Sequence, residues 1–111
     1  MKTGMTLGRI NMDTLYRFGL NTEDGTIEVR EIDDYEYRAM PYNKSYYRYR
    51  GKSQWNYARE CNLDKMVNNA VYTFNPSKKH AKEIMRGALI DKRYELVNKL
   101  GKIEDLLRKT R

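Results

Sequence analysis

The chain has 111 residues, a net charge of +7, one cysteine and one histidine. That length suits one domain, read as 1–111, with a modest core. A lone Cys61 and a lone His80 exclude an intrachain disulfide and a Cys/His zinc site. The charge is uneven: residues 1–40 carry five basic and eight acidic residues, whereas residues 41–111 carry seventeen and seven. The second part is therefore expected to meet a polyanionic or acidic partner, against the plainer reading of a solubilising surface. MKTGMTLGRINM lacks the apolar core of a secretory leader, and no apolar run approaches the roughly 20 residues that cross a bilayer. A cytoplasmic protein without membrane contact is expected.

In chain order, the first eleven or so residues read as a loose arm. LYRFGL (15–20) and TIEVREI (26–32) flank NTEDG, a link ending in glycine, and predict a β-hairpin. Tyr16, Phe18 and Leu20 share one face of the first run, and Ile27 and Val29 one face of the second; the two sets are expected to meet in the core. After a turn at Asp33-Asp34, EYRAM alternates Tyr35, Tyr37 and Ala39 with Asp34, Glu36 and Arg38, a third strand. PYNK marks a turn, SYYRYR a fourth strand and QWNYARE (54–60) a fifth. LDKMV predicts a short helix near 62–68 with Asn62 as its cap. VYTF (71–74) is a short β-like run, so 1–74 is mainly β.

Asn75, Pro76 and the competing cap Ser77 open a helix predicted over 75–110. Ala81, Ile84, Met85, Ala88 and Leu89 recur at helical spacing and should dock on the sheet. The expected class is α+β: an antiparallel sheet of four to six strands with a long C-terminal helix on one face. The sheet covers about half of such a helix. Leu96, Leu100, Ile103 and Leu107 then form a stripe needing a partner, with a homodimer or host-protein contact expected and a fold-back near Arg93 or Gly101 as the competitor.

KSYYRYRGK (44–52) separates by strand alternation. One face carries Lys44, Tyr46, Arg48, Arg50 and Lys52, and the other Ser45, Tyr47, Tyr49 and Gly51. If the third and fourth strands pair, Tyr35 and Tyr37 join Tyr47 and Tyr49 on the core side. Cations along a strand can follow a phosphate backbone, and a ring among them can stack on a base. Edge strands also carry Lys and Arg to block aggregation. A second basic strip, Lys79, Lys82, Arg86 and Arg93, falls within about 60° on the helix, where a plain solvated face is the competing reading.

Signals for catalysis are weak. Glu31, Asp33, Asp34 and Glu36 cluster without a calcium-loop spacing, and Asp33-Asp34 reads better as a turn. His80 beside Lys78 and Lys79 reads as surface, and Cys61 as a small core residue. Neither a GxGxxG fingerprint nor a P-loop is present. No catalytic residue, metal or cofactor is expected.

LYRFGLNTEDGTIEVREI, LDKMVNNAVYTFNPSKKHAKEIM and the Lys/Glu/Leu-rich tail together resemble small accessory proteins of phages and mobile elements of Gram-positive bacteria. That group includes anti-CRISPR proteins. The resemblance is one of pattern, and it implies a non-enzymatic inhibitor of a host nucleic-acid-directed defence system, acting in the bacterial cytoplasm. A host protein or ribonucleoprotein, or RNA or DNA itself, would be the partner. The positive charge speaks against an acidic DNA mimic. A general RNA- or DNA-binding protein is the alternative, and a helix-mediated dimerising protein the third.

Overall fold

The computed structural model describes residues 13–111, so the expected arm lies outside the described residues. The chain is α+β, with strands β1 (Leu15–Leu20), β2 (Ile27–Ile32), β3 (Tyr35–Arg38), β4 (Tyr46–Arg50), β5 (Trp55–Arg59), β6 (Met66–Val67) and β7 (Ala70–Thr73), then helix α1 (Lys78–Lys109). The seven strands of the described residues do not make one sheet. They divide into an antiparallel four-stranded sheet, order β2-β1-β7-β6, and an antiparallel three-stranded sheet, order β3-β4-β5.

Turn chemistry builds these ladders locally. Asn21 to Gly25 closes β1 onto β2: Gly25 donates to the Asn21 carbonyl and takes a φ of +76°, which glycine adopts without penalty. Asp24 accepts from the Thr26 amide and hydroxyl, and these bonds hold its carboxyl below the usual carboxylate range. Tyr42 and Asn43, with φ of 59° and 58°, turn β3 into β4. Asn68 and Asn69, at 51° and 62°, form a two-residue turn between β6 and β7, where Val67 faces Ala70. Successive left-handed residues match the twist of a tight hairpin, and asparagine tolerates them best after glycine.

The expected short helix near 62–68 is not formed. A single 3₁₀ turn occupies Glu60–Asn62, and Met66–Val67 pairs as β6. The Asn68-Asn69 turn recruits that segment into the ladder before a helix can propagate, since one isolated helical turn has little stability of its own. Cys61 is exposed in the 3₁₀ turn, not in the core.

The four-stranded sheet is covered on both faces. Phe18 and Val71 face α1 and pack with Ala81 and Met85, joined by Tyr16, Leu20, Ile27, Met66 and Ile84. The opposite face carries Leu15 and Ile32 against Tyr47 and Tyr49 of the second sheet, with Tyr35, Leu63, Tyr72 and Phe74 around them. The order of layers is thus helix, four-stranded sheet, three-stranded sheet. This explains why β1 buries Leu15 and Phe18, which point to opposite faces. Val29, expected in the core, is instead 54% exposed on β2, an edge strand of the four-stranded sheet.

Ser77 caps the helix, its hydroxyl accepting from the His80 amide; Asn75 accepts from the Ser77 amide just before it. Asp64 ties this helix start to the sheet: its carboxylate accepts from the Thr73 hydroxyl at 2.6 Å and meets His80 Nε2 at 2.9 Å. Burial pushes the Asp64 carboxyl up, but the Thr73 and His80 bonds outweigh this and leave it below the ordinary range. The helix runs unbroken through Gly87 and Gly101, so the fold-back does not occur. Burial ends early: Ala81 and Met85 are buried, and every residue from Asp91 onward is exposed. The last 19 residues, 91–109, form a free stalk about 28 Å long.

Candidate nucleic-acid interface

The outer surface of the three-stranded sheet follows from its register. Glu36 faces Arg48, Arg38 faces Tyr46, Arg48 faces Tyr57, Tyr46 faces Arg59 and Arg50 faces Trp55. Directly paired residues share a face, so Tyr46, Trp55 and Tyr57 stand among Arg38, Arg48, Arg50 and Arg59. Tyr47, Tyr49 and Ala58 alternate with them and are buried. Burial pushes the Tyr47 hydroxyl up to about 12, with the Glu60 charge adding to the effect.

The outer groups are organised. Arg48 lies 4.3 Å above the Trp55 ring and Arg50 5.6 Å from it. Tyr46 meets Tyr57 edge-on at 5.4 Å. Glu36 is the acid on this face, and it accepts from both Arg48 and Arg38 at 3.0 Å. Those bonds, Arg48's first, hold the Glu36 carboxyl below its ordinary range and raise the Arg48 guanidinium. One carboxylate facing four guanidiniums leaves an excess of about three positive charges. Trp55 and Tyr57 are 40% and 57% exposed, so their rings are open to a planar ligand.

Of the strand residues singled out from sequence, Tyr46, Arg48 and Arg50 lie on this face. Lys44 and Lys52 are exposed but sit outside β4, in the Pro41–Lys44 turn and the bend after Gly51, so strand alternation does not govern them. Arg48 is also less free than the sequence implies, since Glu36 and Trp55 hold it and its Nε is sealed without a hydrogen-bond acceptor. Sequence reasoning missed Arg38, Trp55, Tyr57 and Arg59 as members of this surface. The alternation of QWNYARE carried the signal, but only the pairing of β5 with β4 tells which half faces out.

The helical strip divides as well. Lys82, Arg86 and Arg93 border a groove of about 490 Å³ floored by Leu20, Ile27, Met85, Leu89 and Ile90, between α1 and the β1–β2 hairpin. Lys79 is exposed on the same helical face but outside that groove. The groove runs on into an apolar strip along Leu89, Leu96, Val97 and Leu100. Leu96, Leu100, Ile103 and Leu107 are 54%, 57%, 54% and 65% exposed, so the stripe expected to need a partner has none among the described residues.

Thr73 Oγ donates to Asp64 and accepts from the Asn75 amide, and His80 Nε2 meets the same carboxylate. The exposed Cys61 Sγ donates to Asn62 Oδ1 at 3.9 Å. Asp33 accepts from Thr14, and no cluster of three metal-ligating side chains occurs among the described residues. No helix among them is long and apolar enough to cross a membrane. No protein-family model matches the chain, and no curated protein or solved structure matches it either.

Proposed function

We propose that the protein is a non-enzymatic binding protein whose three-stranded sheet presents its outer face to single-stranded nucleic acid, free or within a ribonucleoprotein. The observation that carries this reading is the interleaving of Tyr46, Trp55 and Tyr57 with Arg38, Arg48, Arg50 and Arg59 on one exposed sheet face. Stacking on such rings is sequence-tolerant and contributes about 1–3 kcal/mol per base, while the guanidiniums follow the phosphates. Arg48 stacked on Trp55 keeps the indole oriented, and Arg50 and Arg59 lie to either side of the aromatic pair. The pattern resemblance places this activity in a phage-type accessory protein that inhibits a host nucleic-acid-directed defence system, in the manner of anti-CRISPR proteins. The setting rests on that resemblance alone.

Trp55 is the single tryptophan of the chain, so its fluorescence reports directly on this face. Titration with a twelve-nucleotide oligouridylate or oligothymidylate should quench it. With about three uncompensated charges, the logarithmic salt slope should lie near −2. Tyr57→Ala and Arg50→Gln should each weaken binding about five-fold or more at an unchanged melting temperature. Absence of quenching at low salt with both oligomers refutes the nucleic-acid reading. The exposed leucine stripe favours a second activity beside it: self-association or a helical partner at the stalk, addressed below.

A further inference from the structure

The face of the four-stranded sheet that looks toward the second sheet carries two arginines in direct cross-strand register, Arg17 of β1 and Arg30 of β2. Like charges placed opposite one another destabilise a sheet, and such a pair is ordinarily relieved by a carboxylate. Glu28, opposite Gly19, stands on the same face but makes no ion pair with either arginine. The ion pairs of the described residues involve neither arginine. Instead both are braced by neutral groups. Arg17 lies 6.0 Å from the Tyr72 ring centre and Arg30 5.1 Å from that of Tyr49. Arg30 also donates to the Arg50 carbonyl at 2.9 Å. Tyr49 and Tyr72 are bonded through their hydroxyls, which fixes the two rings on which the guanidiniums rest.

These arginines open into a cleft between the sheets. One lobe, of about 280 Å³, is lined by Arg17, Arg30, Tyr49, Asn56, Tyr57 and Tyr72. A second, of about 270 Å³, shares Arg17, Tyr57 and Tyr72 and adds Arg59, Lys65, Asn62 and Asn68. Neither lining contains an aspartate or glutamate. Four cations, three amides and the tyrosine hydroxyls therefore converge on this cleft. Gly19 contributes space: a Cβ there would lie 2.8 Å from Arg17 Nη1, so a side chain at this position would shift that guanidinium from its place along the sheet.

We propose that this cleft is a binding site for a small multiply charged phosphate anion, a pyrophosphate or the polyphosphate of a nucleotide. Two planar guanidinium forks held on aromatic faces match phosphate oxygens bidentately, and Arg59 and Lys65 supply charge for a second phosphoryl group. A single carboxylate would leave most of that charge unanswered. The cleft meets the stacking face along β5 and shares Tyr57 and Arg59 with it, while Asn56 lies on the cleft side and Trp55 on the outer side; the proposal does not rest on nucleic-acid binding.

The test is calorimetric titration of the full chain with inorganic pyrophosphate at low salt, beside a ten-nucleotide oligothymidylate. Pyrophosphate should bind, and Arg17→Gln and Arg30→Gln should each weaken it at least tenfold. The ligand-free melting temperature of these variants should stay level or rise, since a like-charge pair is relieved; a purely structural pair would give a fall. Lys99→Gln, on the stalk, should change nothing. Gly19→Ala, which keeps every charge, should weaken pyrophosphate several-fold by displacing Arg17, and it serves where an arginine variant fails to fold. No binding of pyrophosphate, or equal weakening by Lys99→Gln, overturns the proposal. So does binding of the oligomer through Arg17 and Arg30 without binding of pyrophosphate. Trp55 quenching by the oligomer reports the outer face independently of each result.

Discussion

Tyr49 and Tyr57 lie on neighbouring strands, and strand pairing turns them to opposite sides of one thin sheet. Tyr49 is 2% exposed, its ring packed with Leu15, Ile32 and Tyr47 and its hydroxyl bonded to that of Tyr72. Burial, with the Tyr72 bond adding to it, pushes the Tyr49 hydroxyl far above its ordinary range, so it stays neutral at any pH at which the fold is assayed. Truncation to alanine removes a fully buried ring and leaves a cavity between the sheets, a change that costs about 3–5 kcal/mol. A chain of this size has a total stability on the order of 5–15 kcal/mol, so Tyr49→Ala consumes a large part of it. Each kcal/mol corresponds to a melting shift of roughly 4–8 °C in a small domain, which predicts a fall of at least about 12 °C. Tyr49→Phe keeps the ring and removes one neutral hydrogen bond, at a cost of about 1 kcal/mol. Tyr57→Ala, at 57% exposure, should remain within about 0.5 kcal/mol of the parent. Circular dichroism on thermal and urea unfolding measures all three. Equal small losses for Tyr49→Ala and Tyr57→Ala would mean that β4 and β5 are displaced by one residue, which exchanges their faces and dismantles the stacking surface.

Leu100→Glu should change monomer stability little, because the side chain is already 57% exposed; by light scattering the parent chain should show a mass above that of a monomer and the variant the monomer mass, whereas a monomeric parent refutes self-association at the stalk. Asp64 should link stability to acid: its folded carboxyl is held below the unfolded value, so its contribution is fully present above an unfolded pKa of about 4 and is lost as pH falls through the lower, folded value. Asp64→Asn should flatten that acid limb and cost about 1 kcal/mol at neutral pH, and an unchanged limb in urea titrations from pH 2 to 6 refutes the role of the Thr73–Asp64–His80 link. Asn69→Gly should stabilise by up to about 1 kcal/mol, since Asn69 holds a φ of +62° in a tight turn; destabilisation in thermal melts would show that its side chain matters more than its backbone.

Local chemistry determined much of this molecule. Period-two alternation in LYRFGL, TIEVREI and SYYRYR, glycine and asparagine at the turns, and the Ser77 cap are properties of neighbouring residues, and each acts at short range. They sufficed for the α+β class, the β1–β2 hairpin and the burial of Tyr47 and Tyr49. Where two local signals competed, the sequence was ambiguous: LDKMV has helix formers, but the Asn68-Asn69 turn makes Met66–Val67 a strand. Tertiary structure alone decided how the strands were shared between two sheets, because a hydrophobic face specifies that it be covered and not by what. That division gave Leu15 and Phe18 different partners, left Val29 uncovered, and turned Trp55 and Tyr57 outward beside Arg48 and Arg50. It also set Arg17 and Arg30, already paired across the β1–β2 hairpin, against Tyr49 and Tyr57 of the second sheet in one cleft. The hairpin register pairs those two arginines, but no local pattern marks the cleft they face, since it is a matter of how the second sheet packs against the first.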